Sequence, residues 1–194
     1  MTQPRIPALD RARVVAAAFA QLQESGLDGL SMRPLAKRLG VQAPALYWHV
    51  ADKGTLLGMM AREIYDIAYR AIPASSDWRA WLLGLGEALR RSFAAHRDGA
   101  RLCASVSAPR VTSTAEHARA LSAPLVALGV DMQRALSFQA SVISFVLGWS
   151  SYEANGSMHD YLDEMLGFDA SFELGLRALV AGFEQQLKTL PSKH

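Results

Sequence analysis

Leu30-Ser-Met-Arg-Pro-Leu-Ala-Lys-Arg-Leu-Gly-Val-Gln-Ala-Pro-Ala-Leu-Tyr-Trp-His-Val50 is the stretch on which the fold turns. Ser31 stands where a helix N-cap is preferred, and Pro34 falls in the first turn, where a missing N–H costs little. Leu35, Ala36 and Leu39 recur at helical spacing until Gly40 stops the segment. Pro44 opens a second short helix, roughly Ala43 to His49, and Val41 and Leu46 give it an apolar side to set against the first. Two short helices joined through a glycine-bearing turn are the arrangement that lays a recognition helix in the major groove of DNA. Tyr47 and His49 can donate to phosphate oxygens, and the aromatic face of Trp48 can meet a thymine methyl. Lys53, at the start of the next helix, adds a charge-assisted phosphate contact. A second reading stands beside this one: Trp48 plugs the core of a small domain, where buried aromatics dominate.

Working outward, Val14, Ala17, Ala18, Phe19 and Leu22 predict a helix over 10–25 that stops at Gly26. Asp52 caps a long helix over 53–71, which Pro73 ends. Further helices are expected over 78–95, 98–105, 112–128 (irregular at Pro124), 131–153, 158–166 and 169–189. Helix 131–153 is apolar on most sides, the pattern of a helix buried in a bundle. The reading is an all-α chain of two domains. A three-helix helix-turn-helix unit spans 1–50, a larger helical unit spans 51–194, and helix 53–71 joins them as a stiff connector.

Composition narrows the class. With 194 residues, 51% hydrophobic and 20% charged, the chain can bury a sizeable core. No apolar run reaches the roughly 18–20 residues of a membrane span, and the start MTQPRIPALD lacks a signal peptide's apolar stretch. One cysteine, Cys103, excludes an internal disulfide and a paired-cysteine metal site; a cytoplasmic location is expected. Residues 1–53 carry seven Lys/Arg against four acids, a basic excess where a phosphate-facing surface would need it. His49, His96, His117 and His159 lack metal-ligand spacing, and neither HExxH nor GxSxG occurs, so no catalytic residue, metal or cofactor is expected.

From Gly29 to Leu57 the string Gly-Leu-Ser-x-Arg-x-Leu-Ala-x-x-Leu-Gly-Val…Pro-x-Leu-Tyr-Trp-His-Val-x-x-Lys-x-x-Leu-Leu closely resembles the tetracycline-repressor (TetR) family, and within it the tetracycline-repressor branch. The likeness continues through His96-Arg-Asp-Gly-Ala-Arg101, Gly129-Val-Asp131 and Phe172-Glu-Leu-Gly-Leu176, nearly the whole chain. The resemblance implies DNA contacts at Arg33, as a base-reading residue, and at Ser31, Pro44, Tyr47, Trp48, His49 and Lys53. Ala43 and Ala45 depart from that branch's polar base readers, which implies a different operator. It also implies that 51–194 binds a ligand and dimerises through helices 131–153 and 169–189, with Ala140, Ser144, Gly148, Gly175 and Gly182 allowing close approach.

The resemblance implies a ligand pocket too, and the chain's departures define it. Cys103 stands where the branch has a histidine that ligates magnesium; Tyr69, Leu85, Leu89, Val106, Ser107 and Ala108 replace its His, Asn, Phe, Thr, Arg and Pro. A carboxylate position falls near Tyr152, and Trp149 lies one turn earlier. Magnesium wants hard oxygen ligands, which a thiol among leucines does not supply. The expected effector is therefore small and mainly apolar. For each pocket position the plain alternative is ordinary helix-bundle core. The expected function is a homodimeric repressor released from a palindromic operator by that effector. An activator or co-repressor-dependent regulator of the same fold shares every motif. A helical enzyme with a vestigial DNA-binding unit is disfavoured by the missing catalytic constellation. A helical scaffold that binds only protein partners would have no need of Arg33 or Tyr47.

Overall fold

The computed structural model describes residues 9–106 and 113–189. Among them the chain forms ten α-helices and no strand: α1 (Arg11–Gly29), α2 (Met32–Leu39), α3 (Ala43–Tyr47), α4 (Lys53–Arg70), α5 (Trp78–Ala94), α6 (Gly99–Ser105), α7 (Thr114–Ala127), α8 (Met132–Glu153), α9 (Gly156–Leu166) and α10 (Phe168–Thr189). No helix among these residues is long and apolar enough to cross a membrane.

Aspartates start four of the long helices. Asp10 Oδ1 accepts from Arg13 N at 2.8 Å, Asp52 Oδ1 from Thr55 N at 2.6 Å, Asp77 Oδ1 from Arg79 N at 3.3 Å and Asp131 Oδ1 from Arg134 N at 3.1 Å. Each satisfies an N–H that the first turn leaves without a helical partner. Ser31 occupies the expected position before α2, but its side chain makes no capping bond. Gly26 does not end α1; it kinks the helix with φ 68°, and the helix resumes to Gly29.

Val14, Ala18, Leu22, Leu30, Leu35, Leu46 and Val50 bury the centre of α1–α3, and Leu56 and Met60 of α4 belong to the same core. That core runs on without a break into the larger unit, where α5 is the hub. Trp78, Trp81, Leu82, Leu85, Leu89 and Phe93 are buried on α5, which packs against α4, α6, α8 and α10. At Gly86 a side chain would stand 2.6 Å from Leu176 Cδ2 of α10, so glycine is what lets these helices touch. Ser92 Oγ donates to the Ile64 carbonyl at 2.8 Å and pins the middle of α4 to α5. Phe138 of α8 stacks on Phe183 of α10 at 4.2 Å.

Helix α8 is divided between the core of its own chain and an outer face. It is not enclosed: Ala135, Phe138, Gln139, Val142, Val146 and Ser150 are buried, while Met132, Ala140, Ser144, Gly148 and Tyr152 are not. Gly148 and Gly182 have open space around them. Gly175 differs from both, because a side chain there would stand 2.9 Å from the Phe145 ring of the same chain.

Candidate functional site

The small unit presents one rigid reading head. Gly40 takes the left-handed conformation (φ 71°, ψ 27°) that favours glycine, and the Val41 N–H reaches back to the Ala36 carbonyl at 3.0 Å. This closes α2 and aims α3 across it, with Leu35, Ala36, Leu39 and Leu46 locked between them. Outside that seam the chain turns polar or aromatic groups to solvent. Ser31, Arg33, Pro44 and Lys53 are exposed, and His49 is half-buried. Tyr47 is 48% exposed and Trp48 89%. Trp48 therefore does not plug the core; Leu46 and Val50, on either side, do. Leaving an indole in water forgoes about 2–3 kcal/mol that burying so large a side chain would bring. Arg33 has no ion pair or hydrogen-bond partner among the described residues, whereas Arg38 pairs with Glu24. The helix-turn-helix thus carries an uncommitted guanidinium on α2 and two solvent-facing aromatics at the end of α3.

The expected pocket residues divide. Tyr69 (α4), Leu85 and Leu89 (α5) and Cys103 (α6) lie on three helices packed on one another, and Leu85, Leu89 and Cys103 are buried. Tyr69 sits 6.1 Å, ring to ring, from Trp81, and Val106 lies half-buried at the end of α6. Trp149 turns away to the α8–α10 seam, where it meets Phe168 at 5.2 Å and Phe172 at 5.9 Å. Tyr152 is half-exposed on the outer side of α8. Thirteen residues beyond Gln139, at about 100° each, put it about 140° round the helix from Gln139. Ser107 and Ala108 lie outside the described residues.

Burial pushes the Cys103 thiol and the Tyr69 hydroxyl each up to about 12, and raises Tyr65 beside them as well. These shifts mark an interior of low polarity, where charge is disfavoured. A buried neutral thiol on α6, with Leu85 and Leu89 buried on the neighbouring α5, offers magnesium none of the hard oxygens it needs, so these residues do not fit a magnesium chelate.

Two groups went unread in the sequence. Gln139, buried on α8, accepts from Tyr69 Oη at 2.9 Å and donates to the Leu121 and Ala135 carbonyls at 3.0 and 3.2 Å. Its signal was a lone carboxamide within the apolar run of α8. The second group is the lead-in to α6, which clamps α1. The kink at Gly26 turns the Gln23 and Glu24 carbonyls and the Leu27 N–H toward partners outside their own helix. Arg97 donates to those carbonyls at 3.0 and 2.9 Å, and Asp98 Oδ2 accepts from Leu27 N at 2.8 Å. Arg101 forks onto both oxygens of Asp28 at 2.9 and 2.7 Å. The His96 ring lies 4.7 Å from that of Phe19.

Comparison with known proteins identifies the family. Residues 14–59 match the model of the bacterial regulatory proteins of the tetR family, and residues 72–162 that of the tetracyclin repressor-like C-terminal domain. The class A tetracycline repressor from transposon 1721 of Escherichia coli is 32% identical, over 89% of each chain. A class A structure in complex with 5a,6-anhydrotetracycline and magnesium is 32% identical with a TM-score of 0.70, covering 91% of this chain and 99% of that one. The structure of BioQ with its natural double-stranded DNA operator is 33% identical with a TM-score of 0.68, covering 91% and 98%. This chain belongs to the tetracycline-repressor family of bacterial transcriptional regulators.

Proposed function

We infer that the protein is a ligand-responsive repressor that grips operator DNA through α2 and α3 and lets go when a small, mainly apolar effector enters between α4, α5, α6 and α8. The nearly naked Trp48 carries this reading. A single chain that leaves an indole in water, with an exposed Tyr47 before it and an Arg33 on α2 that has no partner among the described residues, presents a surface shaped for something else. Arg33 reads a base edge, worth about 1–3 kcal/mol of discrimination. Tyr47, His49, Lys53 and Ser31 hold phosphates, and Pro44 sets the approach of α3.

A palindromic operator needs two heads, and the outward-facing small residues of α8 and α10 supply a face for pairing. Next to them Met158, Tyr161 and Met165 form an exposed stripe on α9, and Leu174 of α10 is 71% exposed. Apolar surface concentrated in this way supports a homodimer. Release follows from where the helices attach. α4 carries Lys53 at one end and Tyr69 at the other, and α6 is clamped to α1 by Arg97, Asp98 and Arg101. An effector that moves α4 or α6 moves the head with it.

Selection of duplexes from a random pool by the full chain tests this. Enrichment of a palindrome bound by two chains, with half-sites about 34–36 Å apart and weakened by Arg33→Ala, is expected. No enriched duplex, or unchanged binding by the Arg33 variant, would overturn it.

A further inference from the structure

Among the described residues no Lys, Arg, His, Asp or Glu is buried; the buried polar side chains are Gln21, Ser92, Ser122, Gln139 and Ser150. Of these, Gln139 faces the helices that would enclose an effector, and its hydrogen bonds fix which way its amide points. Both of its N–H groups are spent on backbone carbonyls, so Oε1 must turn to Tyr69. Oε1 keeps a second lone pair, and the Tyr69 hydroxyl is held by this one bond. While they bond each other the pair has only acceptor lone pairs to spare; parted by an incoming group, they offer it one donor, the Tyr69 hydroxyl, and one acceptor, Gln139 Oε1, at the inner end of α4.

We propose that Tyr69 and Gln139 are the point at which the effector's polar group is read, and that they select an uncharged molecule bearing a carboxamide or lactam. Such a group takes the Tyr69 proton on its carbonyl and gives an N–H to Gln139 Oε1, so both side chains stay satisfied while the link between α4 and α8 opens. A ketone takes the Tyr69 proton and strands Gln139 Oε1. A carboxylate brings in a charge that no buried cation meets, into surroundings that already hold Tyr69 and Cys103 neutral. A plain hydrocarbon leaves the bond in place. The proposal rests on the reading of this interior as the effector chamber.

The test uses two- and three-ring aromatics carrying, in matched form, a carboxamide, a carboxylate, a methyl ketone or no substituent, naphthalene-2-carboxamide and 2-naphthoate among them. The full-length protein is followed by its unfolding midpoint and by release of the selected operator. Carboxamides are expected to be about tenfold more potent than ketones or hydrocarbons, the factor that one stranded buried acceptor is worth, with carboxylates inactive. Tyr69→Phe and the volume-matched Gln139→Met should each erase that advantage, bringing carboxamides to the potency of hydrocarbons measured on the same variant. Two variants on separate helices guard against one that fails to fold. Carboxylates proving most potent, or the carboxamide advantage surviving both variants, overturns the proposal alone. Failure of every class to bind overturns the chamber reading and the proposal with it.

Discussion

Replacing Asp98 separates the hydrogen bond that seats α1 on α6 from the backbone strain beneath it. Asp98 is the one non-glycine among the described residues with a positive φ, at 55°, and its carboxylate takes the Leu27 N–H at 2.8 Å. Leu27 is buried, so removing the acceptor leaves its N–H unsatisfied at a cost of about 1–3 kcal/mol. Alanine also bears the left-handed penalty, about 1–2 kcal/mol, that Asp and Asn partly escape. Asp98→Ala should therefore destabilise by about 2–4 kcal/mol. Asp98→Gly relieves the strain and should lose about 1 kcal/mol less. Asp98→Asn keeps an acceptor oxygen and the tolerated backbone, and should lose about 1 kcal/mol or less, since a neutral acceptor bonds about half as strongly. Urea unfolding of the full chain gives the ranking, and operator binding shows whether the loss reaches the reading head. If glycine proves as costly as alanine, or all three match the wild type, the clamp does not hold the two units together.

Trp48→Ala should shift stability by no more than about 0.5 kcal/mol, as for other exposed positions, yet weaken operator binding at least tenfold in a mobility-shift titration; a large loss of stability would contradict the exposed placement. Lys53→Ala should lower the slope of log K against log salt by about one per half-site, and an unchanged slope would remove Lys53 from the phosphate contacts. Cys103, pushed up to about 12 by burial, should resist iodoacetamide at pH 8 in the native protein and react once urea unfolds it. Because its folded value is raised, its contribution to stability is complete below about pH 9 and is lost above that as the unfolded thiol ionises. Glu184 runs the other way: Arg79 and Lys188 pull it down to about 2, so its contribution is present above about pH 4.5 and lost as pH falls toward 2. Glu184→Gln should flatten acid unfolding in that window.

The parts of this protein that depend on local spacing were readable. Leu35, Leu39 and Leu46 mark two short helices and Gly40 marks the turn, because period and breaker lie within a few residues of each other. Trp48 was undecidable, since an indole suits a core and a nucleic-acid surface equally and only the neighbouring Leu46 and Val50 reveal which. The Arg97–Asp98 clamp was invisible for a different reason: its partners lie more than 70 residues away, and nothing in Gln23 or Glu24 announces that the kink at Gly26 will turn their carbonyls outward. The apolar run of α8 did not say which side its own chain covers, because hydrophobicity reports removal from water without saying whose atoms do the covering. A helix shared between a core and a second chain reads like one buried in a single chain. The pocket reading of Tyr152 came from alignment to a carboxylate in relatives, and in the single chain its own position on α8 is half-exposed.

The same attachments decide how far a change inside can travel. At about 1.5 Å per residue, Lys53 and Tyr69 stand about 24 Å apart along α4. The Ser92 hydroxyl grips the Ile64 carbonyl between them, about 16 Å from the DNA end and about 7.5 Å from the inner end. A rigid helix turning about that grip doubles any displacement: about 1 Å at Tyr69 becomes about 2 Å at Lys53. In a pair of heads these shifts add, and half-site spacing on straight duplex tolerates little error, so a modest opening at the Tyr69–Gln139 bond suffices to unseat both. Cutting the grip with Ser92→Ala removes the fulcrum while leaving both ends of α4 as they are. Operator binding by the free protein should then persist while effector-driven release weakens, as read by operator titration with and without a releasing compound. Full release by the Ser92 variant would mean that α4 does not work as a lever about Ile64 and that the signal passes through the α6 clamp instead.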